Sequence, residues 1–187
     1  MDYHQPRFYH FSEDSIWLSK KASELSPNAC SVLDIGCGSG VVGIETLNRL
    51  KSPKELILLE PQVEFLEYIQ NNLEFIKRNI EVEIVNQTLE RFNPGRKYDL
   101  IVSNPPYFNP KESRPSRDIN RLKCRTFENL NLFDFVQIAI GHLNPSGEFY
   151  FLARQENPDV KKILSELKGF KVIDQFKDVL LLNFVHE

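Results

Sequence analysis

Asn104-Pro105-Pro106-Tyr107 follows the apolar run Tyr98 to Ser103 and so falls at the carboxyl end of a buried strand, where open α/β sheets place their chemistry. Two consecutive prolines fix φ, remove two backbone donors and hold the preceding residue extended. The Asn104 side-chain amide and the Pro105 carbonyl can then be presented outward as a rigid acceptor pair beside the face of Tyr107. Such an arrangement suits a planar amino group, one whose two hydrogens need acceptors at fixed angles. From these four residues alone, a proline-rich loop closing a strand, with Tyr107 packed in the core, is the competing reading.

A second segment narrows the choice. Val32 to Ile35 reads as a short buried strand, Gly36-Cys37-Gly38-Ser39-Gly40 follows at once, and Val41, Val42, Ile44, Leu47 and Leu50 continue with helical spacing. Glycines at a strand-to-helix turn let the backbone lie against a ligand while the first N–H groups of the helix face the same space. A nucleotide-like ligand is implied. The next apolar run, Leu56 to Leu59, ends in Glu60, twenty residues past Gly40, where an acid can accept from both ribose hydroxyls. A nicotinamide-binding domain would show the same pair of features. Two others weigh against it. Phe170 to Asp174 and Val179 to Val185 both read as strands with only Gln175 to Asp178 between them, too short for a parallel crossover, so they pair antiparallel. Asp34 also brings to the loop a carboxylate that would repel a pyrophosphate and attract an amine or a sulfonium. The loop therefore favours a cationic amino-acid cofactor.

Taken in order, Asp34-Ile35-Gly36-Cys37-Gly38-Ser39-Gly40, Glu60 and Asn104-Pro105-Pro106-Tyr107 resemble the class I S-adenosylmethionine-dependent methyltransferases that act on planar amino or amide nitrogens. More closely, Phe11 to Ser15, Asn104 to Phe108, and Cys124-Arg125-Thr126 followed by Leu130 and Leu132 are similar to the bacterial tRNA adenine-N6 methyltransferases that modify the adenine beside a valine anticodon. The resemblance implies S-adenosyl-L-methionine as cofactor, held by Asp34, Gly36, Cys37, Gly38, Gly40, Glu60 and Asn104, and an RNA partner, tRNA above all. It implies catalysis by Asn104, Pro105, Pro106 and Tyr107. The substrate side would be Tyr107 and Phe108, stacking on a splayed base, with Arg121 and Arg125 toward the RNA. Phe11 and Asp14 would lie over the cofactor; Asp14 or Ser12 serves equally well as a cap for the first helix. Where such families carry an aspartate for the cofactor's adenine, this chain reads Asn86-Gln87-Thr88, so Gln87 or Thr88 must accept that bond through a neutral oxygen. Glu90 reads better as a solvent-facing charge. Two rivals share the motifs: a protein glutamine N5-methyltransferase, disfavoured because only about thirty residues precede the first strand, and a non-catalytic cofactor-binding RNA-interaction module.

These residues must be carried by an α/β fold, Rossmann-like and doubly wound, with a mostly parallel seven-stranded sheet and an antiparallel last strand. Strands are expected near 31–35, 55–60, 81–86, 98–103, 147–153, 170–174 and 179–185, and helices near 14–25, 41–50, 61–78, 127–143 and 157–168. At 187 residues and 41% hydrophobic, the chain supports a single domain over 1–187, with a helical cap segment in 1–29 and a variable basic loop in 109–125. Between Lys111 and Arg125 stand six basic and two acidic residues, a local balance of +4 in a chain whose net charge is −3. Such a loop suits RNA backbone or is simply a solvated segment. Cys30, Cys37 and Cys124 are odd in number and spaced for neither a disulfide framework nor a metal, and no apolar span or leader is evident, so a cytoplasmic chain with free thiols, no metal and no membrane contact is expected. Oligomeric state is not encoded in any motif.

Overall fold

A computed structural model describes residues 2–106, 120 and 130–186. After an aromatic N-terminal strap, α1 (Glu13–Leu25) leads into alternating strands and helices: β1 (Ser31–Ile35), α2 (Val41–Arg49), β2 (Glu55–Leu59), α3 (Leu66–Asn72), β3 (Glu81–Val85) and β4 (Tyr98–Ser103). The chain then continues through α4 (Leu132–Ile140), β5 (Leu143–Arg154), α5 (Pro158–Glu166), β6 (Phe170–Phe176) and β7 (Val179–Val185). The seven strands form one sheet in the order β3-β2-β1-β4-β5-β7-β6. β1 to β5 are mutually parallel, while β7 runs antiparallel to both β5 and β6. The short connection after β6 therefore makes the hairpin its length demands.

Strand order reverses at β1, which has β2 on one side and β4 on the other. Crossovers leave that point in opposite directions, so a crevice opens beyond the carboxyl ends of β1 and β4. The glycine loop follows β1 and Asn104 follows β4, so both motifs meet at this crevice. β1 is buried at all five positions, and its side chains divide between two cores. Leu33 and Ile35 join Ile57, Ile101, Phe149 and Phe151 beneath α4 and α5, whereas Val32 joins Leu56, Leu58, Leu100 and Leu152 beneath α1, α2 and α3.

Several boundaries depart from the sequence expectation. The helix expected over 61–78 is three shorter pieces, a 3₁₀ turn at Val63–Phe65, α3, and a second 3₁₀ turn at Leu73–Phe75. Asn72 ends α3 just before the second 3₁₀ turn. Its fully buried side chain donates through Nδ2 to the carbonyls of Ser39 (2.8 Å) and His4 (2.9 Å) and accepts from the His4 N–H (2.8 Å). Its own backbone stays helical (φ −74°, ψ −13°), so the side chain ties the end of α3 to the strap and to Ser39. β5 starts at Leu143, earlier than expected, and β6 runs on to Phe176. α1 is not capped by a side chain: Ser12 occupies the cap position, but its hydroxyl donates to the Asp14 carboxylate instead of bonding a helix N–H. α4 and α5 are capped as the rules predict, by Asn131 accepting from Asp134 N–H and Asn157 accepting from Asp159 N–H. No helix among the described residues is long and apolar enough to cross a membrane. Cys30 and Cys37 carry free thiols.

α2 lies unusually close to the sheet because Gly43 faces it. A Cβ at Gly43 would sit 2.9 Å from Asp34 Oδ2 and 2.9 Å from Leu58 Cδ2. Gly43→Ala should therefore lower stability by about 1–3 kcal/mol despite alanine's better helix propensity, measurable as a shift in the urea midpoint. A midpoint equal to wild type or higher would show that α2 can retreat without cost.

Candidate active site

The carboxyl end of β1 passes into a loop whose glycines adopt left-handed backbone at Gly36, Gly38 and Gly40 (φ 68°, 54° and 81°). Alternating these with ordinary residues turns the chain tightly enough for the Gly36 and Cys37 N–H groups both to bond the Leu59 carbonyl, at 2.9 and 3.1 Å. The loop is thereby fastened to β2. Glu60, next in the chain, reaches back: its Oε2 accepts from Gly38 N–H at 2.8 Å and its Oε1 from Gln62 N–H at 2.9 Å. Asn86 completes the clasp by donating from Nδ2 to the carbonyls of Glu60 and Pro61. Its amide is thus committed to backbone, which leaves Gln87 and Thr88 as the polar groups of that segment on the cavity wall.

A cavity of about 390 Å³ opens here, a size within the range of small-molecule sites. Asp34, Gly36, Cys37, Gly38, Glu60, Gln87, Thr88, Asn104 and Pro106 all line it. Gly40 and Pro105 do not. Gly40 stands behind the wall as the N-cap position of α2, where an added Cβ would meet Leu58 and Ile44. Pro105 is buried beneath Asn104 and Pro106. Tyr107, Phe108, Arg121 and Arg125, and all of the 109–125 loop except Asn120, lie outside the described residues. Glu90, expected only as a solvent-facing charge, is exposed and also lies on the cavity rim. Asp14 is not on the wall; it is buried next to Ser12.

The wall also includes residues that motif reasoning passed over. Gln5 and Tyr9 come from the N-terminal strap, together with the anticipated Phe11. The strap is held by Tyr3, whose hydroxyl donates to Glu45 at 2.7 Å, by Asn72, and by the rings of Phe8 and Tyr9 set edge-on to Phe65. Gln5 Oε1 accepts from Phe11 N–H at 2.8 Å, closing the strap on itself. The one available signal was the density of aromatic residues before α1. Phe135 and Leu130 come from the segment around α4 and give the cavity an apolar side.

Charge is the most discriminating property of the wall. Asp34, Glu60, Glu64 and Glu90 face the cavity, and among its described lining residues none is lysine, arginine or histidine. Burial pushes the Asp34 carboxyl up to about 7, opposed by its bond from Gly43 N–H at 2.7 Å and reinforced by the charge of Glu60. Burial likewise pushes Glu60 up to about 7, against the pull of the Gln62 and Gly38 N–H groups, with Glu64 adding to the rise. Among the described residues, Asp34 Oδ1 has no hydrogen-bond partner. Two acids poised near neutrality, one with an unused buried oxygen, form a receptor for a cation and a poor receptor for a pyrophosphate. Cys37 is driven well above the usual thiol range by burial and by these carboxylates, so it stays a neutral thiol.

At the opposite wall, Ser103 Oγ donates to the Ile35 carbonyl at 2.7 Å, pinning the end of β4 to the start of the glycine loop. Asn104 follows, and its Nδ2 donates to Ser15 Oγ at 3.0 Å. With the amide nitrogen engaged on α1, Oδ1 is the acceptor end of the group.

Residues 19–182 match the family model described as the methyltransferase small domain. The chain is 25% identical over 177 residues to the tRNA1(Val) (adenine(37)-N6)-methyltransferase of Bacteroides fragilis strain YCH46, covering 87% of this chain and 73% of that one. It is 28% identical over 172 residues to the release factor glutamine methyltransferase of Koribacter versatilis, covering 87% of this chain and 61% of that one. Among solved structures, the Thermus thermophilus 16S rRNA N2 G1207 methyltransferase in complex with AdoMet and guanosine superposes with a TM-score of 0.69 at 18% identity, over 95% of this chain and 44% of that one. That likeness is one of fold. With most of its length matched, from within α1 to within β7, this chain belongs to the methyltransferase small domain family, on a class I methyltransferase fold.

Proposed function

We propose that the chain is an S-adenosylmethionine-dependent N6-adenine methyltransferase acting on RNA, with tRNA as the RNA. The observation that carries this reading is the joining of an acidic cavity, with no arginine or lysine among its described lining residues, to the Asn104 carboxamide at the β1/β4 crevice. The cofactor fits the residues present. Its ammonium and sulfonium find Asp34 and the acidic wall, its ribose hydroxyls find Glu60, and its adenine is left to Gln87, Thr88 and the apolar side chains of Phe65 and Leu89. When bound, it supplies a methyl group on an electron-poor sulfur. The names of the curated relatives support adenine in RNA as the acceptor.

An exocyclic adenine nitrogen is a weak nucleophile because its lone pair is delocalised into the ring. Asn104 Oδ1, on the wall, accepts one of its hydrogens, and the carbonyl of Pro105, a buried residue reached only once the base is seated against Asn104, accepts the other; together they would draw the nitrogen toward tetrahedral geometry and turn the lone pair to the methyl group. With S-adenosylmethionine bound, the N–CH₃ bond would form as the S–CH₃ bond broke, positive charge would pass from sulfur to that nitrogen beside Asn104 Oδ1, the neutral thioether would leave, and the extra proton would be lost to water. Tyr107 stacks on the base, and Phe108 extends the platform; Arg121 and Arg125 hold the RNA backbone. Bulk tRNA lacking modification should accept a labelled methyl group that nucleoside analysis recovers as N6-methyladenosine. Label found only on protein glutamine would replace adenine with a carboxamide as the acceptor. Asn104→Ala should lower kcat about 100-fold or more with little change in cofactor affinity; undiminished turnover would remove the amide from the reaction.

The two buried acids give the free and bound protein opposite pH behaviour. Their folded-state values lie above the ordinary carboxylate range, so the stabilisation of the ligand-free fold that comes from holding these protons is complete at acid pH and is lost as pH rises through about 7. Cation binding requires the charged carboxylates. Cofactor affinity should therefore rise between about pH 6 and 8 and level off above, with proton release on binding at neutral pH, while the melting temperature of the ligand-free protein declines over the same interval. Titration calorimetry in two buffers of different ionisation enthalpy measures the released protons. An affinity that is flat across this range would exclude the acids from the binding site. Glu60→Gln, which replaces one acceptor oxygen by a donor facing either Gly38 or Gln62, should weaken cofactor binding about 10- to 100-fold; a change below twofold would exclude the ribose role.

A further inference from the structure

We propose that Ser15 is a positioning residue that sets which end of the Asn104 carboxamide meets the methyl-accepting nitrogen. The proposal deepens the reading above and rests on it. A carboxamide has a donor end and an acceptor end of nearly equal shape, and rotation about its last torsion exchanges them. Only the oxygen can accept from an amino group. The reversed rotamer would set NH₂ against NH₂, a donor–donor clash at the reacting centre. The two prolines that follow Asn104 fix the backbone and not the side-chain rotamer, so they do not choose between the two ends.

Ser15 supplies the choice from 89 residues away, by accepting from Asn104 Nδ2 at 3.0 Å. Its side chain is 2% exposed and, like Asn104, faces the cavity. The backbone beneath it is fixed. Ser15 N–H donates to the Ser12 carbonyl at 3.0 Å, and Leu18 and Ala22 on the same helix are fully buried. Trp17 rests on the ring of Phe176 at 5.6 Å. A rigid helix thus holds an acceptor against the nitrogen end of the amide. The hydroxyl could instead donate to Oδ1 in the reversed rotamer, but an incoming amino group penalises that state, so serine and substrate together select a single orientation.

Ser15→Ala should lower kcat about three- to tenfold, the worth of one neutral hydrogen bond, with the KM for tRNA, the Kd for S-adenosylmethionine and the melting temperature unchanged. Ser15→Thr, which restores a hydroxyl, should recover most of the rate. An independent readout needs no substrate. In ¹⁵N-labelled protein, the Asn104 side-chain NH₂ resonances, assigned by their loss in Asn104→Asp, should shift upfield in Ser15→Ala and return in Ser15→Thr. Unmoved NH₂ resonances, or a Ser15→Ala rate equal to wild type while Asn104→Ala is impaired, would overturn the positioning role alone. A neutral Asn104→Ala would overturn the catalytic reading instead. Should Ser15→Ala lose its fold, the resonances and rate of Ser15→Thr and Ser15→Cys decide, because thiol is the poorer acceptor and must give the lower rate of the two.

Discussion

The bond from Gly38 N–H to the Glu60 carboxylate is the interaction on which the rest of the site depends. It joins the glycine loop after β1 to the segment after β2, and with the Leu59 carbonyl bonds it fixes the loop at the distance where its backbone becomes a cavity wall. Glu60 is almost wholly buried, so ionising it without a ligand costs desolvation that two backbone donors only partly offset. The fold tolerates this because the acid can hold a proton near neutrality. The proposed cation site is thus built from groups whose charge the fold, by burying them, opposes.

Asp34 repeats the logic on the other side of the loop. Its Oδ2 holds Gly43 N–H, and the glycine is what lets α2 come close enough to be held. One oxygen serves the fold while the other has no partner among the described residues. A buried carboxylate divided in this way would be a defect in a purely structural core, where a polar atom without a partner costs about 1–3 kcal/mol. On the wall of a binding cavity, the same oxygen is a coordinate waiting for a donor or a cation.

Much of this was legible in the sequence because it depends on short-range regularities. Strand, glycine turn and helix around Gly36 to Gly40 follow from hydrophobic period and backbone sterics, and the antiparallel β6–β7 hairpin follows from the brevity of Gln175 to Asp178. Sequence could not show that Gly40 and Pro105 stand behind the wall while Gly38 and Asn104 form it, because neighbours in a tight loop point in opposite directions. Nor could it show the division of the expected 61–78 helix into shorter pieces, or the bonds from Asn72 to segments 33 and 68 residues away. Ser15 was visible only as part of a family likeness, and its contact with Asn104 is a product of the tertiary fold.

The two walls of the cavity also differ in what their parts must tolerate. The acidic wall is made from turns stapled by several bonds at once, backbone N–H groups to the Leu59 carbonyl and to the Glu60 and Asp34 carboxylates. The Asn104 wall includes two side-chain bonds, Ser103 to Ile35 and Asn104 to Ser15, reaching β1 and α1 respectively. Each such bond fixes one torsion and leaves the backbone beyond to the prolines. That division would suit the proposed reaction, in which a methyl donor needs an invariant cradle and the acceptor nitrogen a closely aimed oxygen. Displacing α1 would withdraw the Ser15 hydroxyl from the amide. The N-terminal strap and helix, which contribute no residue to the sheet, therefore belong to the reactive geometry as much as β4 does.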